Sequence, residues 1–427
     1  MPNFSIPLSG LTADSTALSA IANNLANQNT TGYKDVDVLF NDLFYQSLGT
    51  TGSGDPVQLG AGAQVGAMPG DFTQGTVEST GVPTDVAIQG NGFFEVQADG
   101  VISYTRAGDF SVDANNFLVT SEGQQVLGYP ASNGVINTGQ ALSPLQIGAG
   151  TISPPTATTT VQLTTNLDAS AAVNDAFSTP VTIYDSLGVS HVLTFTFTKT
   201  AANTWSYSLS IPATDLNPAA PPGGGAPVPQ TGILSTGTLT FSGNGVLTGP
   251  VNGAGNLTNV TAIPITGLSD GASDMSFDWD LLNGTTPVIT QVAAPSSTSS
   301  TQQDGAGSGS LVNFSIGSDG TITGSFSNGK TAALGQIALA SFANNEGLQR
   351  VGDTDFMATL ASGQAVNGTP GTGGRGNLSG GALELSNVDI ATEFSNLIVA
   401  QRAFEANAKA VTTFDQVTQD TINLIQG

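Results

Sequence analysis

A mainly β protein with α-helical ends is the fold class that this 427-residue sequence predicts. Three observations carry the prediction. Apolar residues recur at helical spacing near both ends, in 8–27 and again after Ser386. Between those ends the pattern changes to short alternating runs punctuated by turn residues. The chain has 54 Gly and 21 Pro, yet none lies between Ser386 and Ile425. The expected arrangement is a pair of coiled-coil-like terminal helices plus two β-rich domains, one inserted within the other.

The first helix is expected over 8–27. Pro7 suits a first helical turn, and Leu11, Leu18 and Leu25 lie seven apart, with Ile21 and Ala22 completing the stripe. Asn27-Gln28-Asn29-Thr30-Thr31-Gly32 ends it with turn residues. Residues 34–48 read as a short extended or partly helical connector, followed by the Gly-rich 49–66.

From Met68 to about Gly148 short strands are expected at Val86–Ile88, Phe93–Val96, Ile102–Arg106 and Phe117–Val119, with Asp99-Gly100 as a hairpin turn. A second β region follows over about 150–310. There Leu193, Phe195 and Phe197 alternate with threonines, and Trp205, Tyr207 and Leu209 alternate likewise, as do Leu239 and Phe241. Such alternation marks half-buried strands. Pro221–Gly225 and Pro295–Ser310 read as loops or linkers. Strands resume at Val312–Ile316, Ile322 and Ile337–Phe342. Residues 363–381, rich in Gly, read as a linker to the last helix.

That helix carries Ile390, Phe394, Leu397, Phe404, Ala408, Val411, Phe414, Val417 and Leu424 in steps of mostly three and four, with Gln401 and Thr421 in two seam positions. Ser386, Asn387 and Asp389 offer N-cap chemistry. An apolar stripe this long requires a partner surface, and the N-terminal helix is the candidate.

Composition removes several classes of function. Charged residues make up 9% of the chain, and 32 Asp and Glu face eight Lys and Arg, for a net charge of −24. No basic patch can be assembled from so few cations, which argues against nucleic acid and anionic membranes as partners. Cysteine is absent, which excludes disulfides and thiolate metal sites. No apolar run approaches the ~20 residues of a membrane span. The first cation is Lys34, so no cleavable secretory signal is expected.

Catalytic motifs are weak. Gly324-Ser325-Phe326-Ser327-Asn328-Gly329-Lys330-Thr331 matches the P-loop pattern, but that loop requires a strand before it and a helix after it. Asp319-Gly320 and Asn328-Gly329 instead bracket a strand between two hairpin turns. His191 is the single histidine, so His-based triads and His-rich metal sites lack partners, and a structural or surface role is expected. Asp278 and Asp280 share a strand face, a pattern that a divalent cation or an acid–base pair could use, but it is read as a solvated face. Gly243-Asn244-Gly245 is a turn. No catalytic, cofactor or metal site is expected, and no enzymatic activity.

Three stretches resemble one family. Leu8–Leu11, Ile21-Ala22-Asn23-Asn24-Leu25-Ala26-Asn27 and Thr31-Gly32-Tyr33-Lys34 resemble the N-terminal signature of bacterial flagellar rod and hook axial proteins. Ser386-Asn387-Val388-Asp389, Glu393-Phe394 and Gln401-Arg402-Ala403-Phe404-Glu405-Ala406-Asn407 are similar to their C-terminal signature, and Gly90-Asn91-Gly92-Phe93-Phe94 to a motif of their first β domain. The middle, with Tyr184-Asp185-Ser186-Leu187-Gly188, Thr204-Trp205 and Leu339–Leu348, resembles the hook members rather than the rod members. The Pro/Gly-rich 216–228 and 249–267 depart from the pattern as loop variants.

The resemblance implies a non-enzymatic structural subunit that leaves the cell through the type III export apparatus without a cleaved signal. It would polymerise with itself below a hook cap into a curved helical tube between distal rod and hook–filament junction proteins, and transmit torque as a universal joint. The domains expected are 1–48 with 382–427 (helical, inner tube), 49–67 (connector), 68–149 with 310–364 (first β domain), 150–309 (outer β domain) and 365–381 (linker). Leu11, Leu18, Ile21, Leu25, Ile390, Phe394, Leu397, Phe404, Val411 and Phe414 are the expected assembly contacts, ordered only on assembly, with hinges near 49–66 and 363–381. The alternatives are a distal rod or hook-associated axial protein and, from other classes, a secreted β-rich enzyme or an adhesin.

Overall fold

The structure, a computed structural model, describes residues 5–132, 134–147, 151–217 and 231–426. It separates into two compact units. One comprises Met1–Ala149, Asn313–Gly324 and Ala332–Gly427; the other comprises Gly150–Val312 and Ser325–Thr331.

In the first unit, helix α1 (Ser5–Ala26) lies against helix α2 (Ile390–Gln426). Asp389 is the N-cap that starts α2: its carboxylate accepts from Thr392 N–H at 2.9 Å, and its carbonyl accepts from Glu393 N–H at 2.9 Å. Two hairpins follow α1, Leu39–Asp42 with Ala63–Ala67 and, between them, Gln46–Thr50 with Pro56–Leu59. The 34–48 connector is thus extended, and 49–66 is hairpin rather than free chain.

The β part of this unit is built around Phe93–Ala98. It pairs antiparallel with Val101–Thr105 through the predicted Asp99-Gly100 turn, where both residues have positive φ. Gln125–Ser132, Leu339–Ser341, Asp355–Met357 and Gln349–Gly352 extend the sheet. Alternation delivers Val86, Ile88, Phe94, Val96, Leu118, Ile322, Ile337 and Leu339 to one core, and Phe93, Tyr104 and Phe356 to another. The expected linker 365–381 is corrected. Val366–Gly368 pairs with Leu339–Ser341, and Asn377–Gly380 pairs with Val86–Gln89. Gly371, Gly373 and Gly374 lie in the turn between those strands and all have positive φ, so Gly content here marks turn geometry rather than free chain.

The second unit contains two five-stranded sheets that share one core. One is the antiparallel run Ala176–Tyr184, Ser190–Ala201, Thr204–Ser210, Ile233–Phe241 and Leu247–Gly249. The other is organised on Thr160–Asp168, which pairs parallel with Met275–Asp280 and Ile289–Val292. Leu193, Phe195, Phe197, Trp205, Leu209, Leu239 and Trp279 fill the space between, as period-2 alternation requires. Phe195 and Tyr207 each bring a ring centroid 5.1 Å from that of Trp279.

Two expected loops are strands. Ser297–Gln303 pairs antiparallel with Thr160–Asp168, because Ser and Thr backbones bond a ladder while their side chains stay in water. Val260–Ile265, within 249–267, pairs with Met275–Asp280. The 218–228 part of the other loop variant, with Pro221–Gly225, lies outside the described residues.

The P-loop match is a hairpin. Thr321–Phe326 and Thr331–Ile337 flank a turn in which Phe326 N–H donates to Lys330 O and Gly329 N–H donates to Phe326 O, both at 2.9 Å. No helix follows it. Gly245 N–H donates to Ser242 O, which makes 243–245 the expected turn. Asp278 and Asp280 spend their carboxylates on neighbours: Asp278 accepts from Ala262 N–H at 2.7 Å, and Asp280 accepts from the Asn259 amide at 2.6 Å.

Candidate assembly site at the paired termini

The two helices run antiparallel, as two polar contacts fix. Asn24 meets Glu393 at one end (3.5 Å), and the Asn407 amide donates to Asp14 at 2.8 Å further along. The face of α1 that is covered is not the leucine stripe. Ala13, Ala17, Ala20 and Asn24 are buried, and a Cβ on Gly10 would meet Asn407 at 2.7 Å. This series runs one residue ahead of Leu11, Leu18, Ile21 and Leu25, a rotation of about 100° around the helix. Small side chains allow the axes to approach closely, and the leucines are left half-buried along the flank.

On α2 the expected contacts divide. Leu397, Phe404, Val411 and Phe414 are half-buried, whereas Ile390 and Phe394 are about half exposed, at 48% and 52%. Ile398, Val399, Val417, Ile422 and Leu424 are also exposed, the last at 82%. A groove of about 310 Å³ runs between the helices and 36–40, lined by Ile21, Val36, Val38, Phe40, Val399 and Ala403 among others. The hairpins add exposed Phe40, Phe44, Tyr45 and Leu48.

The signature residues have a different task, tying both chain ends to the first β region. The Asn24 side chain accepts from Val36 N–H and from the Tyr33 hydroxyl, each at 3.1 Å, and donates to Val36 O. Asn23 donates to the Tyr33 hydroxyl, and Asn27 donates to Asn23 O. Gly32 (φ +68°) donates to Glu384 O at 2.8 Å, and a Cβ there would lie 2.5 Å from Ala107 N. No larger residue fits without moving backbone. Gly90 and Gly92 also have positive φ, and Asn91 O accepts from Gly376 N–H. Phe93 is buried beneath Arg106, whose guanidinium carbon lies 5.6 Å from the ring centroid. Gln401 and Arg402 are exposed on α2.

Sequence reasoning missed the group that joins these parts. Lys34 Nζ lies 2.6 Å from Glu384 Oε1, and Arg106 Nη1 lies 3.2 Å from Glu384 Oε2. Lys34 also donates to Thr73 O, and Glu384 Oε1 accepts from Gly75 N–H. Burial lowers the Lys34 pKa against the attraction of Glu384. These residues lie 34, 106 and 384 along the chain, and no spacing rule connects them. Beside them, burial first and then Asp71, Asp37 and Glu393 push the Asp35 carboxyl up to about 6, against the pull of Arg350.

Family models match both ends and the middle of the chain. Residues 6–34 match the flagella basal body rod protein model, and 379–424 match the model of the C-terminal region of flagellar basal body rod FlgEFG proteins. Residues 87–166 match the flagellar hook protein FlgE/F/G D1 domain, and 155–306 match the flagellar basal body protein FlaE D2 domain. Together these define a flagellar rod–hook axial protein. The chain is 37% identical to the flagellar hook protein FlgE of Salmonella typhimurium over 99% of its own length and 100% of the relative's. It is also 37% identical to that of Escherichia coli (99% of each) and 33% identical to that of Treponema pallidum (98% of each). The chain belongs to the flagellar hook protein family, and its role is that of a structural hook subunit without enzymatic activity.

Proposed function

We propose that the half-covered helix pair is the assembly surface on which copies of this chain polymerise into the curved tube of the hook, which joins rod to filament and transmits torque as a universal joint. The observation that carries this is the set of apolar side chains left exposed on α2 after pairing: Ile390, Phe394, Ile398 and Val399 near its start, and Val417, Ile422 and Leu424 near its end. Clusters of exposed apolar side chains mark interaction sites. A tube requires a heterologous contact that does not close on itself. Leu11, Leu18, Ile21, Leu25, Leu397, Phe404, Val411 and Phe414 flank the same surface and complete it. The terminal helices would line the tube. Hook cap, distal rod and junction proteins, and the type III export apparatus, are the further partners. Bending would come from sliding between the β regions of neighbouring copies.

Phe394→Asp tests this. It puts a charge on exposed surface, so the monomer retains its stability while hooks are lost from cells observed by electron microscopy. Normal hooks in that variant would refute the assignment. The extracellular protein of the parent strain should begin at Met1 or Pro2 by mass spectrometry; a shorter start would refute export without cleavage.

A further inference from the structure

The single histidine is not the isolated residue its sequence suggests. His191 is buried in the outer β unit where three turns meet, 185–189, 213–216 and 268–273. Its Nδ1 lies 3.0 Å from Asp215 Oδ2, while its Nε2 faces Asp185 Oδ2 at 3.3 Å and Asp270 Oδ2 at 3.5 Å. The Asp185 side chain is fully buried, and its other oxygen accepts from Leu187 and Val189 N–H at 2.8 and 2.9 Å. Asp270 is partly exposed at the mouth, and its other oxygen accepts from Ala272 N–H at 3.0 Å. Among the described residues, no lysine or arginine forms an ion pair with any of the three carboxylates.

We propose that Asp185, His191 and Asp270 form a binding site for one divalent transition-metal ion of zinc-like chemistry. The donors are one imidazole nitrogen and two carboxylate oxygens, all within 4.8 Å of one another. Tetrahedral zinc with bonds of about 2.0–2.1 Å sets its ligands about 3.3–3.4 Å apart. The two distances from Nε2 match that edge. Asp215 supplies what a ligating imidazole requires on its far side, a carboxylate on Nδ1–H that fixes the tautomer and turns the Nε2 lone pair inward. With Nδ1–H directed at Asp215, Nε2 is the nitrogen free to ligate, and an ion between it and the two carboxylate oxygens would bind all three. Asp270 at the surface gives the ion an entry path and leaves a fourth position for water. The bound ion would pin the three turns to one another.

The test uses the full-length chain stripped with chelator and titrated with Zn²⁺. A chain without cysteine and with one histidine makes the imidazole nitrogen resonances unambiguous. The expected result is one Zn²⁺ per chain by calorimetry, an Nε2 resonance moved to the metal-bound position, and a raised unfolding temperature of the outer unit. Asp215→Asn should weaken binding by about 10- to 100-fold, and His191→Asn should abolish it. Asp270→Asn keeps an oxygen for Ala272 N–H, so it should fold normally and lose the thermal shift. An imidazole that remains protonated at both nitrogens in millimolar Zn²⁺ would overturn the proposal. So would binding of unchanged affinity in His191→Asn and Asp270→Asn.

Discussion

The core of the outer β unit and the interface between the terminal helices are built in opposite ways. In the outer unit the core strands alternate, and the inward half is large: Phe195, Phe197, Trp205, Tyr207, Phe277 and Trp279 are all buried. Between α1 and α2 the buried residues are Ala13, Ala17, Ala20 and Asn24, with Glu393 opposite, while larger residues such as Phe394 and Leu424 face out. The sandwich uses its apolar surface within one chain. The helix pair closes through small and polar side chains and keeps most of its apolar surface for something else. In the assembly proposed above, that division would leave the outer body unchanged while the ends acquire new neighbours.

Three changes probe the contrast, beginning with the largest expected effect. Glu384→Ala strands Lys34 and Arg106 without their counter-ion, and breaking a buried pair in this way costs about 3–5 kcal/mol. Urea unfolding should show the transition of the terminal unit moved by that amount, with the outer unit's transition in place. Ile183→Val, in the outer core, should cost about 0.5–1.5 kcal/mol and leave hook formation intact, measured by the same unfolding and by motility.

The third change concerns pH. Asp35 has a folded pKa of about 6, above its ordinary 3.8, so the folded state takes up its proton more readily than the unfolded state. The stabilisation this gives is full below the unfolded pKa and is lost as pH rises through about 6. The terminal unit should therefore be more stable at pH 5 than at pH 7, and Asp35→Asn should flatten that dependence. A steeper loss of stability on acidification in the parent chain would contradict the assignment.

Much of this was legible in the chain. Helical spacing, Pro7 and Asp389 located both helices, and alternation located the strands of both β regions. The seam of α1 was misplaced by one residue because apolarity points to Leu11, Leu18 and Leu25, whereas close packing of two helices favours the alanines beside them. Ser297–Gln303 resembled a loop because an edge strand needs only its backbone to pair. Residues 363–381 resembled a linker because glycine signals a positive φ as readily as it signals freedom. The Lys34–Glu384–Arg106 group and the surroundings of His191 depend on residues far apart in sequence, which only the folded chain brings together.

In the proposed assembly the helix pair is a half-finished surface that other copies complete, whereas the outer unit is complete in one chain. Amide hydrogen exchange on dilute monomer and on assembled polymer separates the two. Amides of Ile390–Gln426 should exchange readily in the monomer and become strongly protected on assembly, while those of Ser190–Ala201 and Thr204–Ser210 should be equally protected in both. Helix amides already as protected in the monomer as those of the outer sheet, with no gain on assembly, would contradict it.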